Sequence, residues 1–190
     1  MLDFRNKTGF TIIEVVLVLA IAGLIFLMVF VALPSLQRSQ RDAQRRQDVS
    51  KVASAVTNWL ANGNSFSGYS RCTSDSDNTA CDLVKNYLNN KISSPSSQDN
   101  TFKDPLGKNY LLYVSPYSTG LSAAQKKIIY MKSSPYDQFG TYTLIVTYGT
   151  KCDPTDTDHG GIAQADSAGN NYFAVRYRLE DGGIYCVDNQ

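Results

Sequence analysis

A run of 24 residues, from Phe10 to Leu33, contains a single charged side chain, that of Glu14. The run is long enough to cross the hydrocarbon layer of a membrane as one helix, because about 20 apolar residues suffice. A charge inside such a helix is unfavourable by about 2.5–3.5 kcal/mol on insertion scales. We therefore expect the carboxylate of Glu14 to have a partner that offsets this penalty.

The length and the cysteines indicate one exported domain after the membrane segment. The 190 residues leave room for one domain of about 100–150 residues. The net charge of +1 comes from mixed charges and gives no sign of nucleic-acid binding. The four cysteines all follow the apolar run, which indicates disulfides and an oxidising exterior. Of the possible pairings we favour Cys72–Cys81, which closes a short loop, and Cys152–Cys186, which ties down the C-terminus. We expect no metal and no cofactor.

The residues before the apolar run are few and polar, with Arg5 and Lys7 against Asp3. They resemble the charged front of a secretory signal, although the run behind them is longer than an ordinary signal core. The positive-inside rule places Arg5 and Lys7 in the cytoplasm and the cysteines outside. Hydropathy alone therefore favours an uncleaved single-pass membrane anchor.

A more specific pattern lies in the sequence KTGFTIIE, residues 7–14. It resembles the processing motif of type IV pilins and related pseudopilins, in which a short basic leader ends in Gly, followed by Phe and by Glu at the fifth mature position. Gly9, Phe10 and Glu14 match this motif, and Gly23 matches a glycine of the long apolar helix. The resemblance implies that a membrane prepilin peptidase removes the leader, residues 1–9, and methylates the new amine of Phe10.

The resemblance also implies a role for Glu14. In the family's assembly model its carboxylate pairs with the amine of Phe10, on its own chain or on a neighbouring one. Such a pair is strongly attractive in the low-dielectric core of a filament, where a lone carboxylate is strongly penalised. Glu14 would then fix the register of assembly and would not act as a catalytic acid.

Pro34 ends the apolar run and is the expected site of a helix kink. A proline inside a helix removes one backbone hydrogen bond and clashes with the preceding turn. One interpretation is a simple kink at the membrane edge. The other comes from the resemblance, because a proline in this helix of type IV pilins allows local melting as the filament forms.

The chain from residue 35 to residue 61 is first rich in arginine and then amphipathic. For the arginines we keep two alternatives, a solvated helix face or pairing with acidic groups on adjacent subunits. Asp42 and Arg46, four residues apart, support a helix. An apolar stripe at three- and four-residue spacing follows and predicts a face that packs on a core, with Trp59 inside it. The stripe consists of Val49, Val52, Ala53, Val56, Trp59 and Leu60.

Residues 62–109 are expected to form a connecting region with one short helix. Asp82 is a good N-cap residue for a helix through Asn89 or Asn90, and residues 93–97 read as a loop. Residues 104–110, with the sequence DPLGKNY, predict a turn into a strand. This segment resembles the D-P-x-G-x-x-Y segment of many pilins and pseudopilins.

Residues 110–190 are expected to form an antiparallel sheet, because the connections between the predicted strands are short. The best alternation of apolar and polar residues lies in 142–148 and 172–179, and a tight turn at 180–183 leads into the last strand. The predicted strands are Tyr110–Val114, Ile128–Lys132, Tyr142–Tyr148, Tyr172–Leu179 and Gly183–Val187. The predicted fold class is α+β, a pilin fold in which a long N-terminal helix over 10–61, transmembrane over 10–33, packs on this C-terminal sheet.

The loop enclosed by Cys152 and Cys186 begins with an acidic, glycine-containing stretch. Type IV pilins often carry a disulfide-bounded C-terminal loop, which this one resembles. Asp153, Asp156 and Asp158 are candidate calcium ligands by analogy with pseudopilins, but their spacing departs from that of an EF-hand loop. We favour a solvated loop, and we interpret His159 as a surface residue because no catalytic pattern accompanies it.

These features favour a structural protein over an enzyme. The leading hypothesis is a type IV pilin that the prepilin peptidase processes in the cytoplasmic membrane and that a pilus assembly platform polymerises into an extracellular filament. Such a filament serves adhesion, twitching motility or DNA uptake. The alternatives are a pseudopilin of a type II secretion-like or competence machine and a monomeric membrane-anchored adhesin.

Overall fold

The computed structural model describes residues 9–72, 78–88, 102–108, 110–117, 121–131, 142–165, 171–180 and 182–190. The chain divides into two compact units, residues 1–40 and residues 41–190. Helix α1 (Ile12–Ala61) begins in the first unit and ends in the second. The leader before Gly9, the loop predicted at 93–97 and the predicted helix end at Asn89 or Asn90 lie outside the described residues.

In the first unit, helix α1 carries a long series of exposed apolar side chains. The exposed fractions of its large hydrophobic residues run from 44% at Leu33 to 86% at Ile12. This part of α1 is long and apolar enough to cross a membrane. Pro34 lies inside the helix and does not end it. Because proline has no backbone N–H, the carbonyl four residues earlier lacks its helical hydrogen bond.

In the second unit, the predicted stripe of α1 packs into the main hydrophobic core. Val49, Val52 and Val56 are fully buried, and Trp59 is 3% exposed. They belong to one cluster with inward-facing residues of the sheet such as Val146 and Val175. The helical spacing of the apolar residues therefore predicted correctly which face of this part of α1 is buried.

A five-stranded sheet forms the other layer of the second unit, and a two-stranded sheet lies beside it. The fold class is α+β with a mixed sheet, and four of the five predicted strands are present with ends shifted by a residue or two. The strands of the larger sheet, in spatial order, are β1 (Ser70–Arg71), β2 (Leu111–Pro116), β3 (Thr143–Tyr148), β6 (Phe173–Arg178) and β7 (Ile184–Asp188). The smaller sheet pairs β4 (Thr150–Cys152) with β5 (Ile162–Gln164).

The prediction of a strand at Ile128–Lys132 is wrong for its described part, because helix α3 (Ala123–Ile129) occupies this region. A complete capping box starts the helix. The Ser122 hydroxyl accepts from the Gln125 N–H, and the Gln125 side chain accepts from the Ser122 N–H. With a helix between them, β2 and β3 pair in parallel, register Leu112 to Leu144. The expectation of a wholly antiparallel sheet is therefore also wrong at this pair, since a helical crossover permits parallel strands.

The predicted N-cap at Asp82 is also wrong. Helix α2 (Thr79–Asp82) begins after Asn78, whose side chain accepts a hydrogen bond from the Cys81 N–H, and a π-helical turn over Leu83–Tyr87 continues it. The Asp82 carboxylate instead accepts a hydrogen bond from the indole N–H of Trp59. A buried indole needs such a partner, which explains why Asp82 faces the core helix.

Both disulfides lie in the second unit and have the pairing that the sequence favoured. Cys72 is bonded to Cys81, nine residues away, and Cys152 to Cys186, 34 residues away. The first bond joins the end of β1 to α2. The second joins β4 to β7, which connects the smaller sheet to the larger one.

Candidate functional site

The residues of the expected cleavage site lie at the exposed start of the first unit. Gly9 and Phe10 are outside any helix, and the Phe10 side chain is 84% exposed. A Cβ added at Gly9 would meet no atom within 4 Å among those that the structure describes. Among the described residues, nothing packs against Gly9, and the Phe10 side chain is exposed.

Helix α1 starts at Ile12, directly after Thr11. The Glu14 N–H lies 3.1 Å from the Thr11 carbonyl oxygen and 3.4 Å from its hydroxyl oxygen, and the Val15 N–H lies 3.3 Å from the carbonyl. Thr11 thus occupies the N-cap position, with Glu14 at the third helical position. The Glu14 carboxylate lies in the first turn, where the helix dipole favours a negative charge. Over the described ranges, this carboxylate has no hydrogen-bond or ion-pair partner.

In the second unit, a network of charged side chains lies between α1 and the sheet. The arginine-rich helix is evident from the sequence, but the partners of its arginines within the chain are not. Arg45 is 1% exposed and donates to the carboxylates of Asp104, Asp42 and Glu180 at 2.7, 3.0 and 2.7 Å. Arg41, at the edge, binds both carboxylate oxygens of Glu180 at 2.7 Å. The arginines of this helix were expected to be solvated or to pair with another subunit. Arg41 and Arg45 instead pair within their own chain.

The predicted turn at residues 104–110 supplies the central acid of this network. The Asp104 N–H donates to the Lys108 carbonyl and the Gly107 N–H to the Asp104 carbonyl, while Gly107 has φ +77°. The Asp104 side chain is fully buried and also accepts from the Leu106 N–H and the Tyr177 hydroxyl. At the end of the same segment, the Tyr110 hydroxyl donates to Asp48 of α1 at 2.9 Å. The first and last residues of this segment therefore both fasten it to α1.

The ionisation of the network follows from these contacts. Hydrogen bonds from Arg41, and then from Arg45, lower the pKa of Glu180 to about 2 in spite of partial burial. Burial acts to lower the pKa of Arg45, but its bonds to Asp104, Glu180 and Asp42 raise it overall. Burial raises the pKa of Tyr110 and of Tyr177, and the nearby Asp48 and Asp104 carboxylates add to this. At neutral pH Glu180 and Arg45 are therefore charged, and Tyr110 and Tyr177 are neutral.

A second buried arginine, Arg176 of β6, holds the other face of the sheet. Its guanidinium donates to the carbonyls of Ile129, His159 and Gly160 and to the Thr147 hydroxyl at 2.7–3.0 Å. Burial lowers the pKa of Arg176 to about 9, which still leaves the group charged at neutral pH. The end of α3 and the loop between β4 and β5 are thus tied to the sheet by one side chain.

The acidic stretch after Cys152 is folded by its own hydrogen bonds. The Asp153 carboxylate accepts from the N–H and hydroxyl of Thr155, and these bonds lower its pKa. The Asp156 carboxylate lies 2.7 Å from the ring Nδ1 of His159 and also accepts a hydrogen bond from the backbone N–H of His159. These contacts lower the pKa of Asp156. In the part of the chain that the structure describes, no group of three or more acidic, His or Cys side chains is placed to hold a metal ion.

Comparison with known proteins bears on the N-terminal segment. Residues 4–30 match the family model of the prokaryotic N-terminal methylation motif. This motif is the N-terminal signal of type IV pilins and pseudopilins, and it includes Gly9, Phe10 and Glu14. It implies processing by a prepilin peptidase and assembly into a pilus-type polymer. No curated protein and no solved structure matched the chain.

Sequence reasoning missed the burial of Arg45 and Arg176, although one signal pointed to Arg45. Continued backwards at the same helical spacing, the stripe of Val49, Val52 and Val56 includes Asp48, Arg45 and Asp42, all of which are buried. The structure pairs Asp42 with Arg45, whereas the sequence suggested Arg46. Arg46 instead lies over the Tyr185 ring at 5.5 Å.

Proposed function

We propose that this chain is the structural subunit of a type IV pilus-type filament, made as a membrane-inserted precursor and polymerised outside the membrane through α1. The match of residues 4–30 to the methylation motif carries this proposal. The exposed apolar surface of α1 supports it, because such a surface must be covered by lipid in the precursor and by other helices in a filament.

The proposed maturation begins at the Gly9–Phe10 bond. A prepilin peptidase hydrolyses the bond, residues 1–9 leave as the leader, and Phe10 gains a positive amine that is then methylated. Gly9 has no side chain and so permits close approach to the backbone. The subunit resides in the membrane only temporarily, and an assembly platform then transfers the subunit into the filament.

Glu14 has the proposed role of the partner for this amine. Within the described residues its carboxylate is exposed and unpaired, so it is available to an amine on its own or a neighbouring chain. Once other helices surround it, a lone carboxylate is strongly unfavourable, and a paired one is favoured. Subunits then add in the register that brings a Glu14 carboxylate to a Phe10 amine.

The second unit has the proposed role of the outer, solvent-facing domain of the subunit. Its two disulfides suit an oxidising exterior. Filaments of this design serve adhesion, twitching motility or DNA uptake. A pseudopilin of a secretion or competence machine is the alternative that shares every N-terminal feature.

Mass spectrometry of the mature chain tests the processing step. The expected chain begins at a methylated Phe10, and a chain that retains Met1 would refute the proposal in favour of a plain anchor. Microscopy of sheared surface filaments, with this chain identified by mass, tests the assembly step. Abundant filaments support a pilin, whereas processed chain without filaments of its own supports a pseudopilin.

Replacement of Glu14 tests its pairing role. Glu14→Val should leave leader removal largely intact and abolish filaments, because the amine loses its partner. Ile13→Val, a change in the same helical turn without loss of charge, is the matched control and should assemble normally. Filaments of normal abundance from Glu14→Val would contradict the pairing role.

A further inference from the structure

The start of helix α1 lies two residues beyond the bond that is proposed to be cut. The hydroxyl and carbonyl oxygens of Thr11 both receive the Glu14 N–H, so the helical hydrogen bonds begin at Thr11. Across the described residues, no backbone hydrogen bond engages the carbonyl of Gly9 or Phe10. The peptide bond between them therefore stands outside the helix.

The position of this helix start matters for cleavage. Inside an α-helix, the carbonyl of Gly9 would accept a hydrogen bond from the N–H four residues on, that of Ile13. The same geometry would wrap the side chains of the first turn around the bond. A peptidase that must reach both faces of a carbonyl then has to unwind the helix first. A helix that stops at Thr11 removes this step.

Thr11 provides the stop signal with its own side chain. In α3 the capping box is reciprocal, because Gln125 returns a hydrogen bond to the N-cap residue Ser122. In α1 only half of the box is formed. Thr11 accepts from Glu14, but over the described range the Glu14 carboxylate returns no bond to Thr11. The capping of α1 thus rests on Thr11 and leaves the carboxylate of Glu14 available for another partner.

We propose that Thr11 is a positioning residue for leader removal, which ends α1 short of the Gly9–Phe10 bond and so keeps that bond outside the helix. This inference rests on the proposed function, since it concerns the substrate of the same peptidase. Thr11 acts on the conformation of the precursor and makes no contact with the reacting atoms.

The inference predicts a particular kinetic signature. If the N-cap is lost, α1 extends towards the leader in part of the population, and only the remaining fraction is competent to bind. A reduced competent fraction raises the apparent dissociation constant in proportion and leaves the rate of the bound substrate unchanged. The effect should therefore fall on KM, with kcat retained.

The test uses the full-length precursor in detergent with purified prepilin peptidase and compares Thr11→Val with Thr11→Ser. Valine keeps the branched shape of threonine but has no oxygen to accept the hydrogen bond, whereas serine keeps the oxygen. Thr11→Val should raise KM by up to about fivefold, because the loss of an N-cap shifts the helix equilibrium by about that factor. Thr11→Ser should remain within twofold of the natural chain.

A second measurement keeps the outcome unambiguous. The ¹³Cα chemical shifts of Gly9 and Phe10 report whether these residues are helical. They should move towards helical values in Thr11→Val and remain unchanged in Thr11→Ser. Unchanged shifts or unchanged kinetics in Thr11→Val would overturn the inference, as would a loss confined to kcat. If the natural precursor is not cleaved at all, the proposed function fails. If it is cleaved and Thr11→Val is cleaved equally well, only this inference fails.

Discussion

The guanidinium of Arg45 and the carboxylate of Asp104 form a bidentate ion pair, with N–O distances of 2.7 and 3.2 Å. The side chains are 1% and 0% exposed. The pair joins α1 to the turn before β2, 59 residues further along the chain. A planar guanidinium suits a carboxylate in this arrangement, whereas a lysine would offer only a point charge.

Arg45→Met should strongly destabilise the second unit. Loss of the guanidinium leaves Asp104 as a buried charge without its main partner, and breaking such a pair costs about 3–5 kcal/mol. Trp59 is the only tryptophan and lies in the main hydrophobic core of the second unit, so its fluorescence in denaturant can follow the unfolding of that unit in the full chain in detergent. Arg41→Met is the matched control. Its side chain is 26% exposed at the edge of the network, where solvent screens the ion pair, so we expect a much smaller loss than for Arg45→Met. Equal losses would contradict the central position of Arg45.

The free energy of unfolding should decrease as the pH is lowered, over a range set by the pKa of Glu180. The pKa of Glu180 is lowered in the folded chain from 4.5 to about 2. Its contribution is therefore fully present above about pH 5 and is lost as the pH falls through 4.5 towards 2. The loss is at most about 3 kcal/mol, and solvent at the edge of the network reduces it. Glu180→Gln should flatten this part of the pH dependence of the unfolding free energy, and an identical slope in both chains would refute the assignment.

Gly160→Ala should disrupt the junction between Arg176 and the loop after β4. An added Cβ would lie 2.5 Å from the Tyr130 carbonyl oxygen and 2.9 Å from an Arg176 guanidinium nitrogen, and the φ of +67° is itself unfavourable for alanine. Together these effects should cost about 3 kcal/mol in the unfolding free energy. Gly161→Ala provides the control, because its φ is also positive but its nearest contact is 3.8 Å. It should lose only about 1 kcal/mol. A similar loss for both variants would mean that strain, and not the close approach, limits the site.

The two disulfides should differ in their contribution to stability. In the chain-entropy account, a crosslink across a longer loop restricts the unfolded chain more. Removal of Cys152–Cys186 by a double Cys→Ala change should therefore cost about 4 kcal/mol, and removal of Cys72–Cys81 about 3 kcal/mol. Denaturant unfolding of both double variants checks the order. A reversed order would show that burial of Cys72 and Cys81 outweighs loop length.

The parts of the fold with a strong local pattern could be predicted. The spacing of Val52, Val56 and Trp59 identified the buried face of α1, and alternation identified β3 and β6. The region of α3 was misread because its short apolar run fits a strand or a helix equally well. The deciding signal was the capping pair Ser122 and Gln125, which precedes that run.

The residues of the candidate site also differ in whether a local sequence pattern predicts them. The motif that contains Gly9, Phe10 and Glu14 could be recognised from the sequence because it is local, and the roles of these three residues stay predictions. The partners of Arg45 could not, because Asp104 and Glu180 are 59 and 135 residues away and only the packed fold brings them together. An arginine-rich helix face has the same composition whether it is solvated or buried.

Strand β7 stands at one end of the larger sheet, next to β6. Such an end strand offers unpaired backbone groups to strands of other molecules. Here the Cys152–Cys186 bond and a 2.6 Å hydrogen bond from the Cys152 N–H to the Asp188 carboxylate hold β4 against this strand. In the proposed filament, the sheets of neighbouring subunits would meet at high local concentration. The crosslink would then discourage accidental pairing between these sheets and leave polymerisation to the N-terminal helix.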